Sequence, residues 1–134
     1  MNITVIRATS RKNSSTYNAA QYFISKLNSV GEVFEFTLPR DMPHICCGCY
    51  GCLNGKEEKC GGFEYIKPIN EAFAKSQLII FCCPVWCFHA PGQIKSFLDH
   101  YGWRWLVHRP NFEMKNKQAV IITSAGGGGL KSAA

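Results

Sequence analysis

At 134 residues, 46% hydrophobic and 18% charged, the chain is sized for one globular domain over residues 1–134 with a true core. Its formal charge of +6 is scattered from Arg7 to Lys131 without a dense basic run, which argues against a nucleic-acid surface; an anionic cofactor and a mildly basic exterior account for it as well. The opening MNITVIRA is too short for a signal-peptide core and nothing approaches a membrane span, so the eight cysteines read as thiols of a reducing, cytoplasmic compartment rather than as a disulfide scaffold.

Residues 2–7 (NITVIR) form a β-branched run that predicts a strand. Over residues 15–27 Ala19, Ala20, Phe23, Ile24 and Leu27 recur at helical spacing. Residues 32–38 (EVFEFTL) alternate Phe34, Phe36 and Leu38 with Val33, Glu35 and Thr37, a second strand closed by Pro39. A cysteine-rich loop at 44–62 follows. Residues 66–74 offer a second helix, the weakest element of the series. Residues 77–83 (QLIIFCC) are a continuous apolar run, as a strand buried on both faces should be. Pro91 opens a third helix as its first residue, where a missing amide costs nothing, with Ile94, Phe97, Leu98 and Tyr101 at helical spacing. Residues 118–123 are a fourth strand that runs into AGGGG.

Strands alternating with helices predict an α/β protein with a mostly parallel central sheet and helices on both faces. Ligands in such sheets sit at the carboxyl ends of the strands. The unusual residues fall there: RATSRKNSST after the first strand, the cysteine loop after the second, PVWCFHAPG after the third and AGGGG after the fourth. In the first loop, Thr9, Ser10, Asn13, Ser14, Ser15 and Thr16 lead into a helix start that favours an anion such as phosphate; the same residues would also serve a plain helix cap. Pro84, Val85, Trp86 and Phe88 suit a flat heterocycle, and the glycine run lets backbone approach a ligand closely.

In this order ITVIRATSRKNSST, CGCYGCLNGKEEKC, CPVWCFHAPGQIKSFLDH and AGGGG resemble the NADPH-dependent FMN reductase family of flavodoxin-like proteins, in particular its iron-sulfur flavoprotein branch. The resemblance covers nearly the whole chain, and PVWCFHAPGQIKSFLDH is its most specific part. It implies a flavodoxin-like three-layer α/β/α fold and bound FMN. By position, the family's phosphate loop falls on Thr9, Arg11, Asn13, Ser15 and Thr16. Its isoalloxazine loop falls on Pro84, Val85, Trp86 and Phe88, and its second flavin loop on Ser124, Ala125, Gly126 and Gly127. Ala8 and Ser10 stand where the family usually has Gly and Pro, which bears on FMN affinity. The family also continues into a fifth strand and a last helix, so the chain is expected to lack both. Either a partner completes the sheet or the chain is a truncated product.

Cys46, Cys49, Cys52 and Cys60 are spaced Cys-x2-Cys-x2-Cys-x7-Cys. Three closely spaced thiolates resemble the run that wraps a cubane in ferredoxin-like sites, and the iron-sulfur flavoproteins use a compact motif of this kind. A 4Fe-4S cluster is therefore expected on these four, with Cys47 spare. Zinc is an alternative, although two knuckles sharing Cys49 would oblige the loop to bend back through Cys60. A purely structural loop is a third reading. Cys82 and Cys83 end a buried strand as small hydrophobes, and Cys87 sits in the flavin loop; none is assigned a catalytic role. Of His44, His89, His100 and His108, only His89 is placed for flavin tuning.

No nucleophile or general base is evident, and none is needed if FMN carries the chemistry. The leading expectation is a redox flavoprotein that takes electrons from a ferredoxin-like protein or NAD(P)H and passes them between the cluster and FMN to an acceptor. One alternative is a cluster-free NAD(P)H-dependent reductase of FMN or quinones; another is a non-catalytic metal-binding or regulatory module that has lost flavin. The resemblance implies a homo-oligomer. Trp103, Trp105, Leu106 and Phe112 in YGWRWLVHRPNF offer a contact surface, unless these aromatics close the domain's own core.

Overall fold

The computed structural model describes residues 1–133, and for Arg104 and Trp105 the backbone alone. In chain order the elements are β1 (Ile3–Arg7), α1 (Ser15–Ser25), β2 (Val33–Thr37), α2 (Phe63–Lys75), β3 (Leu78–Cys82), α3 (Gly92–Asp99), the short α4 (Trp103–Leu106), β4 (Gln118–Ile122) and α5 (Leu130–Ala133). The four strands pair only in parallel, in the order β2-β1-β3-β4. Placing β1 inside, between β2 and β3, makes the winding reverse at the β1/β3 boundary, which is the flavodoxin-like arrangement. No fifth strand is present among the described residues, and β4 forms one edge of the sheet.

Alternation along each strand sorts side chains onto two faces. Ile3 and Val5 of β1 join Leu78, Ile80 and Cys82 of β3 against Ala20 of α1, with Phe23, Ile24 and Leu27 beside them. On the opposite face Ile6 and Ile79 pack against Ile66, Ile69 and Phe73 of α2 and Ile94 and Phe97 of α3. Phe97 meets Phe73 edge-on at 6.4 Å and Tyr101 at 5.2 Å between ring centres. Thr4 is fully buried, yet its hydroxyl and that of Ser76 share a 2.7 Å hydrogen bond, so neither is left unsatisfied.

Element boundaries differ from the sequence expectations for local reasons. The second helix starts three residues earlier, at Phe63, and carries Pro68 inside it. Pro68 has no amide for the Glu64 carbonyl, but it is exposed, where water serves instead. Pro91 is not the first residue of α3 but its N-cap, with extended ψ of 144°, so Gly92 begins the helix. Leu98 is exposed rather than part of the buried stripe. The first helix closes at Ser25, and Leu27 reaches the core from the turn beyond it, where its amide donates to the Ile24 carbonyl at 3.0 Å. No helix among the described residues is long and apolar enough to cross a membrane.

Candidate functional site

The site grows from the carboxyl ends of β1, β3 and β4. The Ala8 amide donates to the Cys82 carbonyl at 2.9 Å, holding the first two loops side by side as they leave the sheet. Gln93 of α3 donates to the Ala8 carbonyl at 2.8 Å from the other face. The chain then passes Thr9, whose buried hydroxyl accepts the Arg11 amide at 3.3 Å, and reaches Ser14, the N-cap of α1. The Ser14 hydroxyl accepts the Tyr17 amide at 3.4 Å. The amides of Ser15 and Thr16 lie in the first turn, which has no intrahelical acceptor, at the positive end of the helix dipole.

Two bonds lock the remaining loops onto this turn. Val85 donates its amide to the Ser124 carbonyl at 3.0 Å, and the Thr16 and Ser124 hydroxyls are 2.6 Å apart. A cleft of about 380 Å³ results, lined by Thr9, Arg11, Ser14, Ser15 and Thr16, by Pro84, Val85 and Trp86, and by Ser124, Ala125 and Gly126. Residues 108 positions apart are joined by the Thr16–Ser124 bond. Replacing Thr16 by valine should cost about 1 kcal/mol of stability. The double variant with Ser124→Ala should cost less than the sum of the two single changes, as read from urea midpoints; strict additivity would show that the bond contributes nothing.

Beyond β3, Trp86 and His89 exchange both backbone hydrogen bonds, at 2.8 and 3.0 Å, around a two-residue turn. Cys87 and Phe88 occupy the turn with φ of 49° and 64°, the left-handed pair of a type I′ turn that ordinarily takes glycine or asparagine. Trp86 is thereby turned toward the cleft, while Phe88 is carried to the tip, 73% exposed and outside the lining. Gly129 approaches so closely that a Cβ there would sit 2.7 Å from Phe88 Cα.

Phe88, Asn13 and Gly127 are thus the expected site residues that the fold does not bring to the cleft. Asn13 is exposed ahead of the helix cap, and Gly127 lies past the rim with open space around it. His89, expected near the flavin, instead borders an apolar hollow beside Phe81, Ile94 and Ile121. Its Nδ1 accepts the Ala90 amide at 2.9 Å. Ser14 joins the lining because it caps α1, a role its position before the helical run already suggested.

The cysteine loop builds a second cleft, of about 350 Å³, beyond β2. Cys46, Cys47, Cys49, Cys52 and Cys60 all line it, together with His44, His100 and Tyr101. All eight cysteines are free thiols. Among the described residues, the group of metal-ligating side chains within mutual reach is His44, Cys60 and His100, whose ligand atoms lie within 4.8 Å of one another. Cys60 is thus gathered with two histidines rather than with the other three cysteines of the motif. The Cys52 thiol is pushed above its ordinary value by burial, with smaller contributions from Cys46 and Cys60.

Arg109 pins this loop from outside. It donates to the carbonyls of Cys52 and Leu53 at 2.6 and 3.0 Å, lies 3.6 Å from the Glu57 carboxylate and sits 5.0 Å above the Trp103 ring. The aromatic stretch read as a subunit contact therefore divides. Trp103 is half-buried under Arg109, Leu106 and Phe112 are exposed, and the Trp105 side chain lies outside the described residues.

Together, the parallel sheet and the cleft formed where its winding reverses define a flavodoxin-like binding domain. The family model for NADPH-dependent FMN reductase matches residues 1–134, and the chain belongs to that family. A curated FMN-dependent NADH:quinone oxidoreductase from Photorhabdus laumondii is 30% identical over 82 residues, which is 55% of this chain and 41% of that protein. The chain thus spans less than half the length of that relative. Among solved structures, the Trp repressor binding protein from Bacillus subtilis superposes with a TM-score of 0.62 at 21% identity, covering 97% of this chain and 73% of that one. An FMN-dependent NADH-azoreductase from Bacillus anthracis, solved in complex with FMN, gives 0.63 at 12% identity, with coverages of 95% and 70%. At these identities the structural likeness speaks for the fold.

Proposed function

We propose that residues 1–134 act as the FMN-binding domain of a flavin-dependent oxidoreductase that takes electrons from NAD(P)H and delivers them to a small acceptor such as a quinone. The observation that carries this reading is the convergence of the three loops after β1, β3 and β4 on one cleft that offers both an anion seat and an aromatic face. Ser14, Ser15 and Thr16, with Thr9 and Arg11, would hold the phosphate at the α1 amides. Pro84, Val85 and Trp86 would hold the ring, and the open backbone at Gly126 leaves room for its edge. FMN, once bound, supplies the hydride and single-electron chemistry; the chain's task is to bind it, orient it and leave one face accessible. Family membership and the name of the Photorhabdus relative support this donor and acceptor class. The reading further includes cytoplasmic action and a homo-oligomer, for which the exposed Leu106 and Phe112 supply apolar contact surface.

A second reading adds a 4Fe-4S cluster on Cys46, Cys49, Cys52 and Cys60, fed by a ferredoxin-like donor. It is favoured by the four thiols lining one cleft. Quantifying iron and acid-labile sulfide in anaerobically purified protein separates the two: roughly four of each per chain would support the cluster, and neither would support the cluster-free reductase.

Titrating the chain with FMN, followed by assay of NADH and NADPH oxidation with a quinone, tests the main reading; failure to bind FMN would leave only a non-catalytic module. Arg11→Gln should weaken FMN binding about 10-fold while leaving riboflavin, which has no phosphate, unaffected. Equal losses for both ligands would remove Arg11 from the phosphate seat.

A further inference from the structure

We propose that the cleft beneath the cysteine loop is a binding site for a single zinc-like divalent ion, ligated by His44, Cys60 and His100, with Cys46 or Cys52 supplying the fourth ligand. The three ligands come from three different places: His44 from the loop after β2, Cys60 from the turn three residues ahead of α2, and His100 from the C-cap of α3. Their ligand atoms already lie within 4.8 Å of one another. A tetrahedral zinc with two imidazoles and thiolate holds its ligand atoms roughly 3.5 Å apart, so small side-chain rotations bring these three into place, and Cys46 and Cys52 line the same cleft from the loop.

Hydrogen bonding prepares both rings. His100 Nε2 lies 3.1 Å from the His44 carbonyl. A carbonyl only accepts, so Nε2 carries the proton and the lone pair is left on Nδ1. That arrangement orients a metal-bound imidazole and fixes its tautomer. His44 Nδ1 is buried and has no hydrogen-bond partner, a cost that a metal bond would offset.

The backbone is cut to fit. A Cβ at Gly61 would lie 2.7 Å from His44 Nε2, and one at Gly62 would lie 2.9 Å from His44 Nδ1 and 3.0 Å from His100 Cε1. The two glycines leave the space that the imidazoles occupy. Two nitrogens with one or two thiolates suit zinc better than calcium or magnesium, which prefer oxygen. Binding releases the Cys60 thiol proton to solvent and ties the cysteine loop to the ends of α2 and α3. The site does not depend on the FMN reading, but it competes with the cubane for Cys60.

The test is a cobalt(II) and zinc(II) titration of chelator-treated full chain, read by ligand-field and thiolate charge-transfer absorption and by bound metal per chain. One tetrahedral cobalt per chain, displaced by zinc, is expected. Cys60→Ser and His100→Asn should each weaken binding roughly 100-fold or more, while Cys47→Ser should bind as wild type. Asparagine at 100 has no N–H at the Nε2 position, so His100→Gln, whose Nε2 can still donate to the His44 carbonyl, separates loss of the ligand from loss of that hydrogen bond and should weaken binding as much. His100→Cys should retain metal with stronger charge-transfer absorption, showing that loss in the other variants is not misfolding. Wild-type affinity in both Cys60→Ser and His100→Asn would overturn the proposal. So would iron and sulfide that disappear in Cys49→Ser and persist in His100→Asn.

Discussion

Gly129→Ala should cost about 3 kcal/mol of stability, the sum of a strained backbone and an overpacked contact, and should weaken FMN binding more than any single change of a side chain that lines the cleft. Gly129 has φ of +96°, which an L side chain rarely adopts. Its added methyl carbon would also sit 2.7 Å from Phe88 Cα and 2.9 Å from both the carbonyl carbon and oxygen of the same residue. These are backbone atoms, so no rotamer change relieves the clash. The Trp86–His89 turn must move, and Trp86 with it. Comparing urea midpoints and FMN affinities checks both parts. A variant that binds FMN like wild type would show that the turn does not position the ring. Gly127→Ala serves as a control, because a Cβ there meets nothing within 4 Å.

Stability should fall as pH rises above 9, and much of that loss should trace to Cys82. Burial pushes this thiol from its ordinary 9.0 up to about 12, only partly opposed by the Arg7 guanidinium. Between those values the unfolded chain has released a proton that the folded chain still holds. The unfolded state therefore gains by about 1.4 kcal/mol per pH unit, or about 4 kcal/mol across the interval. Below pH 9 both states keep the proton and this group contributes no slope. Cys83 and Tyr17 are also raised, chiefly by burial, and add loss of the same sign. Cys82→Ala should cost about 1 kcal/mol at neutral pH and flatten the alkaline decline without abolishing it. Urea unfolding from pH 7 to about pH 11 would check this. Parallel wild-type and variant profiles would place the titrating group elsewhere.

The strands were legible because their burial demands are simple. LIIFC is apolar throughout as a central strand must be, and VFEFT alternates as an edge strand does, with Glu35 taking hydrogen bonds from Tyr17 and Gln21 of α1. The cleft was legible for the same topological reason: parallel strands release their loops on one side, so Thr9, Thr16, Val85 and Ser124 meet whatever the intervening sequence. Side-chain direction within a loop was not. Phe88 reads as a ring-stacking aromatic, but a left-handed turn on two non-glycine residues puts it outside the cleft, and no propensity announces such a turn. The gathering of His44, Cys60 and His100 was equally hidden. His100 is 40 residues beyond Cys60, at the end of α3, whereas cysteines alone group by local spacing. The helix start at Phe63 was hidden because no capping side chain marks it: the N-cap is Gly62, which makes no side-chain hydrogen bond.

The eight residues of α3 bridge the two clefts. Near its first turn Gln93 grips the Ala8 carbonyl, where the β1 loop leaves the sheet, and past its last turn His100 reaches into the cysteine cleft. Eight helical residues span about 12 Å, and the helix is braced between them by the fully packed Ile94 and Phe97. A helix anchored at both ends and buried between them moves as one body. The groups that steady the mouth of one cleft and line the other thus ride on one packed helix, so a displacement of α3 along its axis would be felt in both.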